Sequence, residues 1–109
     1  MGAGATPTGI VILDGSPAFV AAAKDFIDGL TGYASVPAGV VLVDLALGGL
    51  ELAQRVKQGN PRQCVIGLAL FPTPELIAEG RRLGIDDVIS KESFADELPS
   101  ALRRLGASR

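Results

Sequence analysis

Apolar residues in this chain come in short unbroken runs rather than in alternation. Val40-Val41-Leu42-Val43 runs straight into Asp44, and Ile10-Val11-Ile12-Leu13 runs into Asp14. Cys64–Leu70 and Val88-Ile89-Ser90 are of the same kind, and Lys91 follows the last of them. Runs of this length, rich in β-branched residues, predict strands covered on both faces, as in a parallel sheet. Between them the period changes to that of helices. Ser16 and Pro17 suit the cap and first position of a helix that reaches about Leu30, with Val20, Ala23, Ile27 and Leu30 on one face and Gly29 and Gly32 at its end. A second helix over residues 50–58 has Leu52, Ala53 and Val56 as apolar anchors, between Gly48-Gly49 and Gly59-Asn60-Pro61. Thr73-Pro74-Glu75 opens a third, which carries Leu76, Ile77 and Leu83 to a stop at Gly84. Ser93 with Asp96 resembles a capping box for a last helix carrying Leu98, Leu102 and Leu105. Pro99 is acceptable in that helix only if it begins near Asp96 or later. Tyr33–Val36 reads as a short strand and Pro37-Ala38-Gly39 as a turn.

Strand-helix alternation along the whole chain predicts an α/β domain with a parallel sheet. In such a sheet, residues at the C-terminal ends of the strands line the ligand-binding edge. Asp14, Asp44 and Lys91 therefore converge on one edge. With 109 residues the chain is one domain over 10–106, with a flexible stretch 1–9 and a short tail 107–109. Its apolar fraction of 48% fits a buried sheet and not disorder. No apolar run is long enough for a membrane helix and no signal peptide opens the chain, so the cytoplasm is the expected compartment. Cys64 is the only cysteine, which rules out an internal disulfide and reads as a small core residue. A net charge of −2 argues against nucleic acid as the partner, and Arg81-Arg82 and Arg103-Arg104 suit the last turns of two helices. The absence of histidine excludes histidine triads, histidine metal sites and phosphohistidine carriers. No glycine-rich nucleotide fingerprint or nucleophile elbow is present, so an enzyme or a small-ligand domain is the less favoured class.

Three blocks, Ile10-Val-Ile-Leu-Asp14-Gly-Ser-Pro17, Val41-Leu-Val-Asp44-Leu and Gly84-Ile-Asp-Asp-Val-Ile-Ser-Lys91, resemble the signature segments of response-regulator receiver domains. The likeness runs from Gly9 to Leu105 and is strongest over Pro61–Lys91. It implies a flavodoxin-like three-layer sandwich. It implies that Asp44 accepts a phosphoryl group from a histidine kinase or phosphotransfer protein. It further implies that Asp14 and Asp44 hold Mg²⁺, that Lys91 pairs with the phosphoryl group, and that output passes through contacts with a downstream protein. Each role suits its residue: a carboxylate is a competent phosphoryl acceptor, Mg²⁺ favours a few carboxylates, and fixed positive charge stabilises the transferring oxygens.

The same resemblance exposes departures. The family's second acid is Gly15, its hydroxyl residue is Ala69, the small residue after it is Leu70, its aromatic switch position is Val88, and Glu92 stands where proline is common. Loss of the acid weakens Mg²⁺ binding, and loss of the hydroxyl removes a charge-assisted hydrogen bond of about 1.5–3 kcal/mol. These losses favour the alternative of a phosphorylation-independent pseudo-receiver that serves as an interaction module. The segment between Tyr33 and Val40 is too short for the crossover helix the family has there. If Tyr33–Val36 is no strand, the first helix links the first strand to Val40–Asp44 and changes sheet face. A missing unit leaves apolar surface for a partner or a homodimer. Asp86-Asp87 read as turn residues rather than metal ligands, and Gly48-Gly49 as a helix start rather than an anion nest.

Overall fold

The computed structural model describes residues 8–30, 33–34, 39–46 and 48–105. Residues 1–7, 31–32, 35–38, 47 and 106–109 lie outside the described residues, and with them most of the expected N-terminal stretch and turn. The elements run β1 (Thr8–Leu13), α1 (Pro17–Asp28), β2 (Tyr33–Ala34), β3 (Val40–Asp44), α2 (Gly49–Gly59), β4 (Cys64–Ala69), α3 (Pro74–Arg82), β5 (Asp87–Ser90) and α4 (Phe94–Arg104). The strands form one parallel sheet in the order β2-β1-β3-β4-β5. This is the flavodoxin-like order, in which the chain reverses its direction of growth between β1 and β3. Asp14, just past β1, and Asp44, at the end of β3, stand at that switch point.

Each strand sends alternate residues to opposite faces, and both faces are covered. On one face Ile10, Val40, Leu42, Ile66, Leu68 and Ile89 meet α1 and α4 through Ala23, Ile27, Leu98 and Leu102. On the other, Val41, Val43, Leu45 and Val65 meet α2 through Ala53, with Ile85 closing the end of α3. Unbroken apolar runs are the consequence, since neither side of a strand faces water.

Among the described residues β2 comprises Tyr33–Ala34, which pair with Thr8 and Gly9 at the start of β1. The twelve residues of α1 carry the chain from β1 to β2. Ala34 lies level with Gly9 and Val40 with Ile10. Tyr33–Ala34 is thus a parallel neighbour of β1, and α1 keeps company with α4.

Four local expectations need correction. α4 begins at Phe94, so Pro99 lies inside it. The missing N–H and the steric strain cost roughly 3 kcal/mol, and burial of Leu98 and Leu102, about 1.5–3 kcal/mol each, offsets it. Ser93 gives α4 no side-chain cap. Instead its carbonyl accepts from the N–H groups of Asp96 and Glu97, and the Glu97 carboxylate reaches back to the N–H of Ser90. β4 stops at Ala69, one residue before Leu70. Leu52 does not anchor α2: it is exposed, and Ala53 and Val56 do the packing.

Glycine positions follow from close approach. Gly84 ends α3 in a left-handed conformation (φ +92°), with the Ile85 N–H donating to the Gly80 carbonyl and that of Gly84 to the Arg81 carbonyl. Gly67 leaves the space that the Leu45 side chain fills. Asp86 and Asp87 do shape the entry to β5, at the sheet edge opposite Asp44. Asp86 accepts from the Val65 N–H and from Lys57, and Asp87 accepts from the Val88 N–H and pairs with Arg104.

Cys64 heads β4 half-buried against the first core. Burial, reinforced by the Asp86 carboxylate and partly offset by Lys57, pushes its thiol up to about 11. Against an ordinary value of 9.0 its thiolate is about 100-fold scarcer. Alkylation by iodoacetamide at pH 8 is therefore expected to run at least about tenfold slower in the folded chain than in urea, allowing for the greater nucleophilicity of a more basic thiol. Equal rates would mean that Cys64 is exposed.

Candidate functional site

The Asp14-Gly15-Ser16-Pro17 segment builds one wall of the site. Asp14 Oδ1 accepts from the Ser16 N–H at 2.8 Å and folds the chain into a tight turn. Ser16 then caps α1, its hydroxyl accepting from the Phe19 N–H at 3.3 Å. This sequence of local bonds places the Phe19 ring at the site. The ring packs edge-on against Phe94, centroids 5.3 Å apart.

Lys91 enters from the end of β5. Its N–H donates to the Ala69 carbonyl at 2.8 Å, which ties it to β4. Its ammonium lies 2.7 Å from Asp14 Oδ2, 3.6 Å from Asp44 Oδ2 and 4.5 Å from the Phe19 ring centroid. The cation thus sits between two carboxylates with an aromatic face against it. Asp14 Oδ2 is enclosed and accepts no hydrogen bond of good angle, so the Lys91 charge is what compensates it. The side chains of Asp14, Lys91 and Asp44 are 0%, 12% and 25% exposed. Only Asp44 shows substantial charge to the outside.

The turn into α2 holds Asp44 in place. Its Oδ1 accepts from the Ala46 N–H at 3.1 Å. The Gly49 N–H donates to the Ala46 carbonyl, and Gly48 turns left-handed (φ +87°) to start α2. Gly49 packs so closely on the Asp44 backbone that a Cβ there would lie 1.7 Å from the Asp44 carbonyl oxygen. The glycine pair therefore serves the helix start, and the Gly49 N–H is already committed to protein.

Asp44 also divides two cavities. One, of about 510 Å³, runs between Asp14, Gly15, Asp44, Gly49 and Leu52. The other, of about 270 Å³, runs between Asp44, Ala69, Leu70, Phe71 and Lys91. Sequence reasoning brought Asp14, Asp44 and Lys91 together, and the structure does so too. It missed Phe19, whose place depends on the Asp14 turn, and it missed the exposure of Leu52, Leu70 and Phe71. A signal existed for the last two: Leu70-Phe71 continue an apolar run past the strand end and into Pro72.

Asp14 and Asp44 are the two carboxylates at this edge that could hold a divalent cation. Both Asp14 oxygens are engaged, one by Ser16 and one by Lys91, and Gly15 supplies no ligand. Among the described residues no group of three or more histidine, cysteine, aspartate or glutamate side chains converges. Asp44 is then the more available carboxylate, and Mg²⁺ held there would draw the rest of its shell from water and substrate phosphate.

The chain has the fold of response-regulator receiver domains. It superposes on a LuxR-family two-component response regulator from Aurantimonas with a TM-score of 0.84, at 20% identity, over 95% of this chain and 88% of that one. A response regulator from Thermotoga maritima gives 0.79 at 19% identity, over 92% and 98% of the two chains. The isolated receiver domain of RcsB from Salmonella enterica, solved in the presence of the phosphomimetic BeF₃⁻, gives 0.80 at 19% identity, over 93% and 89%. No family model and no curated protein matches the chain. At these identities the likeness is one of fold. No described helix is long and apolar enough to cross a membrane.

Proposed function

We propose that this chain is a receiver-like module of cytoplasmic two-component signalling that acts through protein contacts without being phosphorylated, and that it is not an enzyme. The observation that carries this reading is the closed state of Asp14. One of its oxygens accepts from Ser16, the other lies 2.7 Å from the Lys91 ammonium, and its neighbour is Gly15 where a second metal ligand would stand. With Gly15 in place of a second acid and Ala69 in place of a hydroxyl donor, less is left to stabilise charge on a transferring phosphoryl group. Lys91 then serves as the resident cation of the site.

A second reading has one observation in its favour. Asp44 keeps an oxygen at the mouth of two cavities with Lys91 3.6 Å away, the placement a phosphoryl acceptor needs. In that reading a histidine kinase or phosphotransfer protein is the donor, Asp14 and Asp44 hold Mg²⁺, and Lys91 pairs with the phosphoryl group. Intact mass after incubation with a small phosphoryl donor and Mg²⁺ decides between the two. No added phosphoryl group is expected. A labile gain of one, lost in Asp44→Asn and in a metal-free control, overturns the first reading.

Gly15→Asp sharpens the test. A Cβ at Gly15 meets nothing within 4 Å, so the position has room to begin a side chain. The variant is expected to raise Mg²⁺ affinity, read by titration calorimetry, by at least about tenfold, equivalent to about 1.4 kcal/mol. Unchanged affinity would show that more than the second acid is missing.

A further inference from the structure

The three large apolar side chains exposed among the described residues are Leu52 (40%), Leu70 (57%) and Phe71 (74%). All three line the two cavities that meet at Asp44 and Ala46: Leu52 the larger, Leu70 and Phe71 the smaller. Apolar exposure scattered singly needs no explanation, but here it is gathered around one carboxylate. The charge balance is equally local. Two acids and one lysine line the cavities; Lys91 lies closest to Asp14, and both of those side chains are nearly enclosed. What an approaching molecule meets is therefore the Asp44 carboxylate in an apolar frame.

We infer that the Asp44 groove and its apolar rim form a docking site for an amphipathic helix of another protein, one that brings a lysine or arginine flanked by apolar side chains. The incoming cation completes the pairing that Lys91 leaves partial at 3.6 Å, and the flanking residues cover Leu52 on one side and Leu70 and Phe71 on the other. Helices of this kind seat apolar anchors three and four residues apart in grooves. A second copy of the chain is the weaker occupant, because a two-fold contact over the groove sets one Asp44 against another. This inference rests on the contact-driven reading proposed above and names the partner's chemistry.

The test uses the full chain and two fluorescein-labelled model helices, one with leucines flanked by lysines and one with glutamates in place of the lysines. Anisotropy is read at physiological salt, where a Debye length of about 8 Å limits long-range attraction. The lysine helix is expected to bind and the glutamate helix not to bind. Leu52→Ser, Phe71→Ser and Asp44→Asn are each expected to weaken binding by at least about tenfold. Leu52 and Phe71 are exposed and lie on opposite sides, so loss of one variant to misfolding leaves the other. Failure of the lysine helix to bind, equal binding of both helices, or indifference to all three substitutions overturns the inference. So does a concentration-dependent dimer that Phe71→Ser abolishes, since a second copy would then own the surface. Phosphoryl labelling with intact helix binding would sink the proposed function and leave the docking site standing. Absent labelling with absent binding would do the reverse.

Discussion

Gly49→Ala is expected to destabilise the domain by at least about 3 kcal/mol, the upper end of the cost of overpacking. The added methyl would lie 1.7 Å from the Asp44 carbonyl oxygen and 2.7 Å from its carbon. Both are backbone atoms of a buried central strand, so no rotamer change relieves the contact. Either α2 moves off the sheet, giving up the burial of Ala53 and Val56, or the end of β3 turns and takes Asp44 with it. Alanine is the better helix former by about 0.8–1 kcal/mol, and the clash outweighs that gain. Two other glycines provide the scale. At Gly67 the obstacle is the Leu45 side chain, 2.5 Å away at Cδ1, which has rotamers to yield with, so Gly67→Ala should cost about 1–3 kcal/mol. At Gly48 there is open space but φ is +87°, so Gly48→Ala should cost about 1–2 kcal/mol. Urea unfolding of the three variants is expected to rank Gly49→Ala as the most harmful. A Gly49→Ala domain as stable as Gly48→Ala would mean that α2 is not seated on Asp44.

The architecture was legible because its determinants are local. Ile10–Leu13, Val40–Val43 and Val65–Leu68 are apolar without alternation since helices cover both faces of their strands. Ser16-Pro17, Thr73-Pro74 and Gly84 act within a turn of the chain, and each does in the structure what its chemistry predicts. The site acids and Lys91 were legible for a related reason: strand ends in a parallel sheet share an edge, so their convergence follows from topology. What stayed hidden depends on contacts between distant residues. Pro99 survives inside α4 because tertiary burial outweighs propensity, a balance invisible in the local pattern. Leu52 has the spacing of a core residue and yet faces the groove, because only the packed helix shows which side of α2 meets the sheet. Phe19 reaches Lys91 through the Asp14 turn and the Ser16 cap together. β2 was ambiguous because its pairing with β1 is a contact between distant residues that its own composition does not encode.

Lys91→Ala is expected to cost about 3–5 kcal/mol, the range found when one partner of a buried ion pair is removed. The reason lies with the partner left behind. Asp14 is wholly enclosed, and its Oδ2 has no hydrogen bond to fall back on once the ammonium 2.7 Å away is gone. The cation is also lost from the Phe19 ring. Asp44→Asn should matter far less, within about 1 kcal/mol, because that carboxylate is part-exposed and lies 3.6 Å from the lysine. Adding Asp14→Asn to Lys91→Ala separates charge from packing. The amide keeps an oxygen for the Ser16 N–H and carries no charge to leave uncompensated, so the double variant is expected to recover at least about 1 kcal/mol over Lys91→Ala alone. With no tryptophan and one tyrosine in the chain, far-ultraviolet circular dichroism in urea is the suitable probe. Recovery in the double variant would identify Lys91 as the standing counterion of Asp14, present whether or not any phosphoryl group arrives. A Lys91→Ala domain of unchanged stability, with no gain from Asp14→Asn, would mean that water reaches Asp14 and leaves it open to a metal. In that case Asp44 regains its claim as a phosphoryl acceptor, and the helix-docking surface around it becomes the place where a phosphoryl donor sits.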